Sequence, residues 1–588
     1  MKQFFKYTCA TIVGIIITGI LATVFGIIAL AGIAAASETS GSVADNSVLV
    51  LNLSGLMQER SENARLSAIA GTEGTIGLDT YLKAISNAQK NDKVKGIYIE
   101  AGAFAADSYA SLQAVRNALS NFKKSGKWII AYGDTYTQGA YYVASVADKI
   151  YLNPQGQIDW HGLASQPIFL KDMLAKFGIK MQVAKVGTYK SMPEMYTATE
   201  MSDANRAQTQ AYINAIWGNV VNDVSKSRHI TPQKLNQLAD SVITFADTKE
   251  FVTEHLADSL IYTDEVKKIV KKRLGMEPDD DDNIKQVTPS VLAAENDDEG
   301  DEIAVYYAYG DVVDGAASSP NSNHKIDAQT VCRDLEKLAN DDDVKAVVLR
   351  VNSGGGSAYA SEQIWHQISE LKKKKPVVVS MGGMAASGAY YISAPANWIF
   401  AEPTTLTGSI GIFGLFPDAS GLLKDKLGIK FDAVKTNAHS DFGAISRPIT
   451  PEEMHILEGY INRGYQLFRQ RVADGRHMTT AQVEKIAQGH VFAGQDALRI
   501  HLVDQLGGLD EAVAKAAQLA KLKEYHTSPY PAPASWLDQL VGQISGGNYL
   551  DEGIRSQLGP LYEPVMMLRN IDKADAIQMR MPYEPNIE

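Results

Sequence analysis

Ser387 stands where a β-branched run, PVVVSM at 376–381, gives way to a small-residue turn, GGMAASG at 382–388. The GAYYISAPA that follows can begin a helix, and a hydroxyl at a helix start sits among backbone N–H groups that favour negative charge. The amide of Gly388 comes directly after it. A second glycine turn, NSGGGS at 352–357, has Gly355 near its centre and ends another β-branched run, AVVLRVNS at 346–353. Two unhindered amides at neighbouring strand ends are what a tetrahedral oxyanion needs. Either turn alone reads as a tight strand-to-helix connection that wants glycine. The pair, with serine in the second, points to acyl-transfer chemistry.

A serine nucleophile needs a base. His439, His477, His490 and His501 are available by type, but each reads better as a surface or internally satisfied histidine. Lysine is the alternative. Its ordinary pKa near 10.4 leaves about one molecule in 10³ to 10⁴ neutral at pH 7, and burial can bring it down to about 7–8. The base should therefore lie among apolar or small residues. KKKKP at 372–376 fails that test as a solvated helix end, whereas VAKVGTYKSMPEMYT at 183–197 offers Lys185 and Lys190 in a strand-like, apolar-flanked stretch.

An internal duplication separates these two lysines. TQGAYY at 137–142 repeats as ASGAYY at 386–391, Gly133 meets Gly382, Pro154 meets Pro403, and Gly162 meets Gly411. FGIKMQVAK at 177–185 matches LGIKFDAVK at 427–435, and YIN recurs at 212–214 and 460–462. Lys185 thus has a partner, Lys435, which argues for a shared structural role. Lys190 falls opposite Ser440, or His439 if the gap shifts by one, and has no counterpart. Ser387 falls opposite Gln138. Each copy holds one member of a Ser/Lys pair.

Elements that could position such a pair are visible in both copies. VLVLNL at 48–53, GIYIE at 96–100 and WIIAYG at 128–133 alternate with helical stretches in the first; EIAVYYAYG at 302–310 joins the runs already named in the second. YASEQIWHQISELKKK between two of them has apolar residues at helical spacing and a basic end. Continuous apolar strands separated by helices predict β-α units on a mainly parallel sheet, with ligands beyond the carboxyl ends of strands.

The 588 residues are too many for one domain. The expected division is a short cytoplasmic N-terminus (1–8), a transmembrane signal anchor (9–36), a first repeat (46–275), an acidic linker (276–302), a second repeat (303–525) and a tail (526–588). From Tyr7 to Ser37 no residue is charged, enough for about 20 apolar residues to cross a bilayer. Lys2 and Lys6 precede the run, which puts the N-terminus in the cytoplasm and the rest outside. A cleaved signal peptide is the alternative, since IAAAS at 33–37 offers small residues, but such an apolar core is usually only about 7–15 residues long. The net charge of −12 is mostly local: residues 276–302 carry eleven acidic side chains against one lysine, which reads as a solvated linker. Without a basic field, nucleic acid is not an expected partner. Cys9 and Cys332 supply neither a disulfide framework nor a metal cluster. The tail carries Pro529, Pro531 and Pro533 and a short amphipathic stretch, WLDQLVGQI, which can pack on a neighbour.

VNSGGGSAYASEQIW, GGMAASGAYYISAPAN, TLTGSIGIFG and VGTYKSMPEMYT together resemble the signal peptide peptidase family (SppA), in its double-length, membrane-anchored form, over nearly the whole chain. The resemblance implies a tandem Clp- and crotonase-like β-α superhelical fold behind one transmembrane helix. It implies a serine protease with Ser387 as nucleophile and Lys190 as general base. It implies that Ser409, in TGSIG, orients the lysine; from the residues alone Ser409 reads as a strand-end turn residue. Gly355 and Gly388 match the oxyanion-hole positions. Gly354 stands where the family often has proline, which should loosen the turn without removing an amide. The resemblance also implies a homotetramer on the periplasmic side of a bacterial inner membrane, peptide substrates such as spent signal peptides, and no cofactor or metal. The alternatives are a crotonase-like enzyme acting on acyl-coenzyme A and a membrane-tethered scaffold. The anchor and the Ser/Lys asymmetry weigh against the first, and retention of both members of the pair in opposite copies weighs against the second.

Overall fold

The computed structural model describes residues 43–61, 76–279, 283–295, 299–315, 324–532 and 577–581, together with Gly14 and Thr18. The first repeat is built on a six-stranded sheet in the order Ser259–Leu260, Lys149–Ile158, Trp128–Tyr136, Val94–Ala106, Ser47–Met57 and Gln286–Val287, with every neighbour parallel. Its strands are covered on both faces, which is why they read as near-continuous apolar runs: Leu49, Leu51, Ile97, Ile99 and Ile129 are fully buried.

The second repeat reproduces this sheet. Its order is Val491–Ala493, Leu406–Gly408, Val377–Ala386, Val344–Ser353, Asp301–Tyr309 and Tyr525–Tyr530, with Trp398–Ala401 also beside Val377–Ala386. All these pairs are parallel except that of Val491–Ala493. The helices repeat as well. Asp203–Arg228 and Pro451–Arg476 are each 26 residues long and end on left-handed His229 and His477, with φ of 57° and 55°. Ser108 and Ser357, equivalent N-caps, accept from the amides three residues on and start the helices Tyr109–Lys123 and Ala358–Lys372.

A third sheet joins the halves. Lys180–Val186 of the first repeat runs antiparallel to Ile412–Asp418 of the second over seven residue pairs, from Ile412 opposite Val186 to Asp418 opposite Lys180. Beside Ile412–Asp418 lies Ile577–Arg580, and beyond that Gly355–Ser357. A buried ion pair also ties the halves. Arg350 Nε donates to Glu59 Oε1 at 2.5 Å, and Asn352 Nδ2 donates to Asp107 Oδ2 at 2.7 Å.

Two expectations change here. The segment read as a solvated linker is partly structural: Gln286–Val287 adds an edge strand to the first sheet, and Leu292 in the helix Pro289–Ala293 is fully buried. Its acidic residues hid these few apolar side chains. The tail, given only a possible packing role by its sequence, contributes two strands, since Tyr525–Tyr530 and Ile577–Arg580 each join a sheet. The anchor at 9–36 lies outside the described residues apart from Gly14 and Thr18, as do Cys9 and the WLDQLVGQI stretch. Among the described residues no helix is long and apolar enough to cross a membrane.

Candidate active site

The strand Val377–Ala386 runs straight into Ser387, whose backbone is forced to φ 57° and ψ −116°. Such a conformation in a non-glycine residue costs on the order of 1–3 kcal/mol and persists only where the surroundings hold it. Here the Ser387 amide donates to the Gly408 carbonyl at 2.8 Å and its carbonyl accepts from Tyr391 at 2.9 Å. Ser387 occupies the N-cap position of Gly388–Ser393 but its side chain makes no capping bond. In the first repeat the corresponding helix is capped by Thr137, one residue earlier, in the ordinary way. The Ser387 hydroxyl is therefore released from the usual duty of an N-cap serine.

It points instead at Lys190, whose Nζ lies 2.6 Å from Ser387 Oγ. Nζ also lies 3.0 Å from Ser409 Oγ and 3.2 Å from the Ser409 carbonyl oxygen. Lys190, Ser387 and Ser409 are all fully buried. Burial alone pushes the ammonium well below the ordinary lysine range. A neutral amine can accept the Ser387 proton while its own N–H groups donate to Ser409. The strand Lys180–Val186 brings the lysine across from the other repeat. The loop after it is seated by Tyr189 N–H donating to the Gln488 carbonyl at 2.9 Å. Lys185 Nζ reaches the Lys190 carbonyl at 3.5 Å, consistent with a structural role for the lysine that both copies share.

Gly355 and Gly388 converge on this pair. Gly355 has φ +99°, and a Cβ added to it would stand 2.6 Å from the Gly388 nitrogen, so the two backbones approach as only glycine allows. The Gly388 amide is the first of its helix and has no intrahelical acceptor. The Gly355 amide donates to Ser353 Oγ at 3.0 Å.

The first repeat has closed the equivalent place. Gln138 Nε2 donates to Tyr109 Oη at 2.8 Å and to the Gly162 carbonyl at 3.0 Å. Its Oε1 accepts from the amides of His161 and Gly162 at 3.0 and 2.9 Å. Opposite Gly355 stands Ala106, and opposite Ser409 stands Trp160, which is fully buried.

The histidines are elsewhere employed. His439 pairs with Glu453, while His477 and His501 take left-handed turns at φ 55° and 63°. His490 stacks on Tyr189 at 4.3 Å between ring centroids. Sequence reasoning missed the residues that hold the lysine loop. Gln208 Nε2 donates to the Tyr189 carbonyl and to Ser191 Oγ, both at 3.0 Å. Gly411 and Gly489 make room: a Cβ on Gly411 would stand 3.2 Å from Lys190 Cδ, and one on Gly489 2.6 Å from the Lys190 nitrogen. Only Gly411, by matching Gly162, left any trace in the sequence.

Residues 121–277 and 369–523 match the model of peptidase family S49, and residues 318–401 match that of Clp protease. The chain is 35% identical to Protease 4 of Salmonella typhi over 555 residues, covering 91% of this chain and 88% of that protein. It is 35% identical to Protease 4 of Haemophilus influenzae over 539 residues, covering 88% and 86%. It is 30% identical to the chloroplastic serine protease SPPA of Arabidopsis thaliana over 489 residues, covering 82% and 70%.

Proposed function

The chain belongs to peptidase family S49 and is a serine protease with duplicated Clp-like domains, and on that premise we propose that Ser387 is its nucleophile and Lys190 its general base. The observation that carries this reading is the buried Lys190 amine 2.6 Å from the hydroxyl of a strained serine. The neutral amine takes the Ser387 proton as Oγ attacks the scissile carbonyl. The oxyanion forms between the amides of Gly388 and Gly355, the latter sharing its hydrogen with Ser353 Oγ. Lys190 then gives its proton to the leaving amine, and water repeats the sequence on the acyl ester. Ser409 positions the amine through the contacts at 3.0 and 3.2 Å.

The substrates in this reading are extended, apolar peptides, including signal peptides left in a membrane after processing. Support comes from the strand-lined site, which favours recognition by β-pairing, and from the uncharged run at Tyr7–Ser37. In this reading the protein is a single-pass inner-membrane enzyme with its catalytic repeats on the periplasmic side, and the family resemblance adds that it acts as a homotetramer. An acylating serine-reactive probe tests the site. It should label Ser387 in the wild type and not in Lys190→Ala; labelling mapped to any other serine sinks the assignment.

A further inference from the structure

Gln208 lies in the second turn of the helix Asp203–Arg228 and is 2% exposed. A primary amide taken out of water is costly unless its donors and acceptor are all used. Gln208 uses them on three separate pieces of chain. Its Nε2 donates to the Tyr189 carbonyl and to Ser191 Oγ, both at 3.0 Å, so it grips the residue on each side of Lys190. A longer contact, at 3.3 Å, runs to Asn205 Oδ1 one turn back on its own helix. Its Oε1 accepts from the Val491 amide of the second repeat at 3.2 Å. Val491 stands opposite Gly408, whose carbonyl accepts from the Ser387 amide at 2.8 Å. The carbonyl of His490, the residue before Val491, accepts from the Ser409 amide at 2.7 Å. One side chain thus connects the loop carrying the amine with the backbone that seats Ser387 and Ser409. The sister helix has no such residue. With the first residues of the two helices aligned, Asp203 on Pro451, Ile456 falls opposite Gln208, and Ile456 is 57% exposed. The amide is present and buried only in the copy that supplies the lysine. Asn205 extends the hold: its Nδ2 donates to Glu194 Oε2 at 3.1 Å, and Glu194 opens the short helix Glu194–Thr197 that follows the lysine.

We propose that Gln208 is a positioning residue for the hydrolysis, acting through Lys190: it fixes the lysine backbone against the strand Val491–Ala493 and so keeps Nζ on the Ser387 hydroxyl and out of water. The inference rests on Ser387 as nucleophile and Lys190 as base. A lysine side chain has four rotatable bonds, so the place of its amine depends on how firmly its own backbone is held. With the Gln208 amide gone, the Tyr189 carbonyl, the Ser191 hydroxyl and the Val491 amide lose a shared partner. The loop then shifts, the 2.6 Å contact between Nζ and Oγ lengthens, and water reaches the amine. Misplacement of the base lowers kcat. Hydration of the amine lets it keep its proton to a higher pH. KM changes little, because Gln208 bonds to neither Gly355 nor Gly388.

Full-length wild type, Gln208→Met and Gln210→Ala are compared on an apolar peptide across pH, with thermal unfolding of each in parallel. Gln210 is exposed on the same helix and bonds to Asn214 at 2.8 Å, so its variant should match wild type. Gln208→Met should lose about tenfold to a hundredfold in kcat with KM within about twofold, and its activity should rise about one pH unit later. A loss of kcat with the pH rise unmoved marks a purely structural effect and overturns the proposal, as does a wild-type kcat. Should Gln208→Met fail to fold, Ser191→Ala is read on the same two quantities. It removes one of the two grips beside Lys190, so kcat should fall less steeply and the pH rise should move in the same direction; an unmoved profile overturns the proposal. Lys190→Ala separates the proposal from the reading beneath it. If Lys190→Ala is as active as wild type, the catalytic assignment falls and the proposal with it. If it is inactive while Gln208→Met keeps the wild-type kcat and pH profile, the assignment stands and the proposal falls alone.

Discussion

Tyr189 of the first repeat donates its amide hydrogen to the Gln488 carbonyl of the second at 2.9 Å, and the next residue on each side is Lys190 and Gly489. That bond fastens the loop carrying the amine to the half carrying the hydroxyl. The missing Cβ of Gly489 lets the two backbones meet. The geometry of the Ser/Lys pair is thus set by backbone contacts between repeats, and side-chain changes can be read against a fixed frame.

Activity should rise with pH through a value well below the ordinary lysine range. As the proposed base, Lys190 would act only when neutral, and burial disfavours its protonated form. Ser387→Ala and Lys190→Ala should each lower kcat/KM on an apolar peptide by at least about a thousandfold. Lys190→Arg should be inactive at every pH, because guanidinium stays protonated. A wild-type profile that is flat until about pH 10 would contradict a buried neutral lysine.

Ser409→Ala removes one of the two oxygens that hold Nζ, leaving the carbonyl at 3.2 Å. The loss of one such bond is worth about 1–3 kcal/mol, or roughly tenfold to a hundredfold in kcat. KM should change little if Ser409 acts, as proposed, through the lysine. A matching rise in KM with unchanged kcat would assign Ser409 to substrate binding instead.

Gln138→Ser should not create a second active serine. The first repeat has Ala106 and Trp160 where the second has Gly355 and Ser409. The change also leaves two backbone amides, a carbonyl and a tyrosine hydroxyl without the partners Gln138 supplies. Chemical denaturation should show a loss of roughly 2–4 kcal/mol, while a serine-reactive probe labels only Ser387.

Glu402 is 3% exposed, and burial raises its carboxyl to about 7 from 4.5. Its folded-state value lies above the unfolded one, so its contribution to stability is greatest below pH 4.5 and is lost as pH rises toward 7. Glu402→Gln should therefore match wild type near pH 4 and exceed it at pH 8, by up to roughly 3 kcal/mol. Equal stability at both pH values would show that the carboxylate is well solvated by its surroundings.

Much of the fold was legible because buried parallel strands announce themselves as runs such as VLVLNL and AVVLRVNS. The pair Ser387 and Lys190 stood out because duplication supplied an internal comparison: each is the residue its sister copy lacks. Ser409 also differs from its counterpart, Trp160, but it reads as a strand-end turn residue, and only the family resemblance assigned it a role. Gln208 and Gly489 act through backbone groups of a distant loop, and nothing in their neighbours' types marks that. Gln286–Val287 and Ile577–Arg580 were invisible for a related reason. They are two and four residues long, and their strand conformation comes entirely from the edges they join.

The seven-pair ribbon of Lys180–Val186 with Ile412–Asp418 has a consequence in time as well as space. A ribosome makes the N-terminal half first, at about 5–20 residues per second. Throughout that interval the nascent chain owns a lysine and no serine to activate, and even after Ser387 emerges the amine has no strand to carry it home until residue 418 has been added. In the proposed mechanism, competence cannot precede residue 418, and the first seven-tenths or so of the chain is made without it.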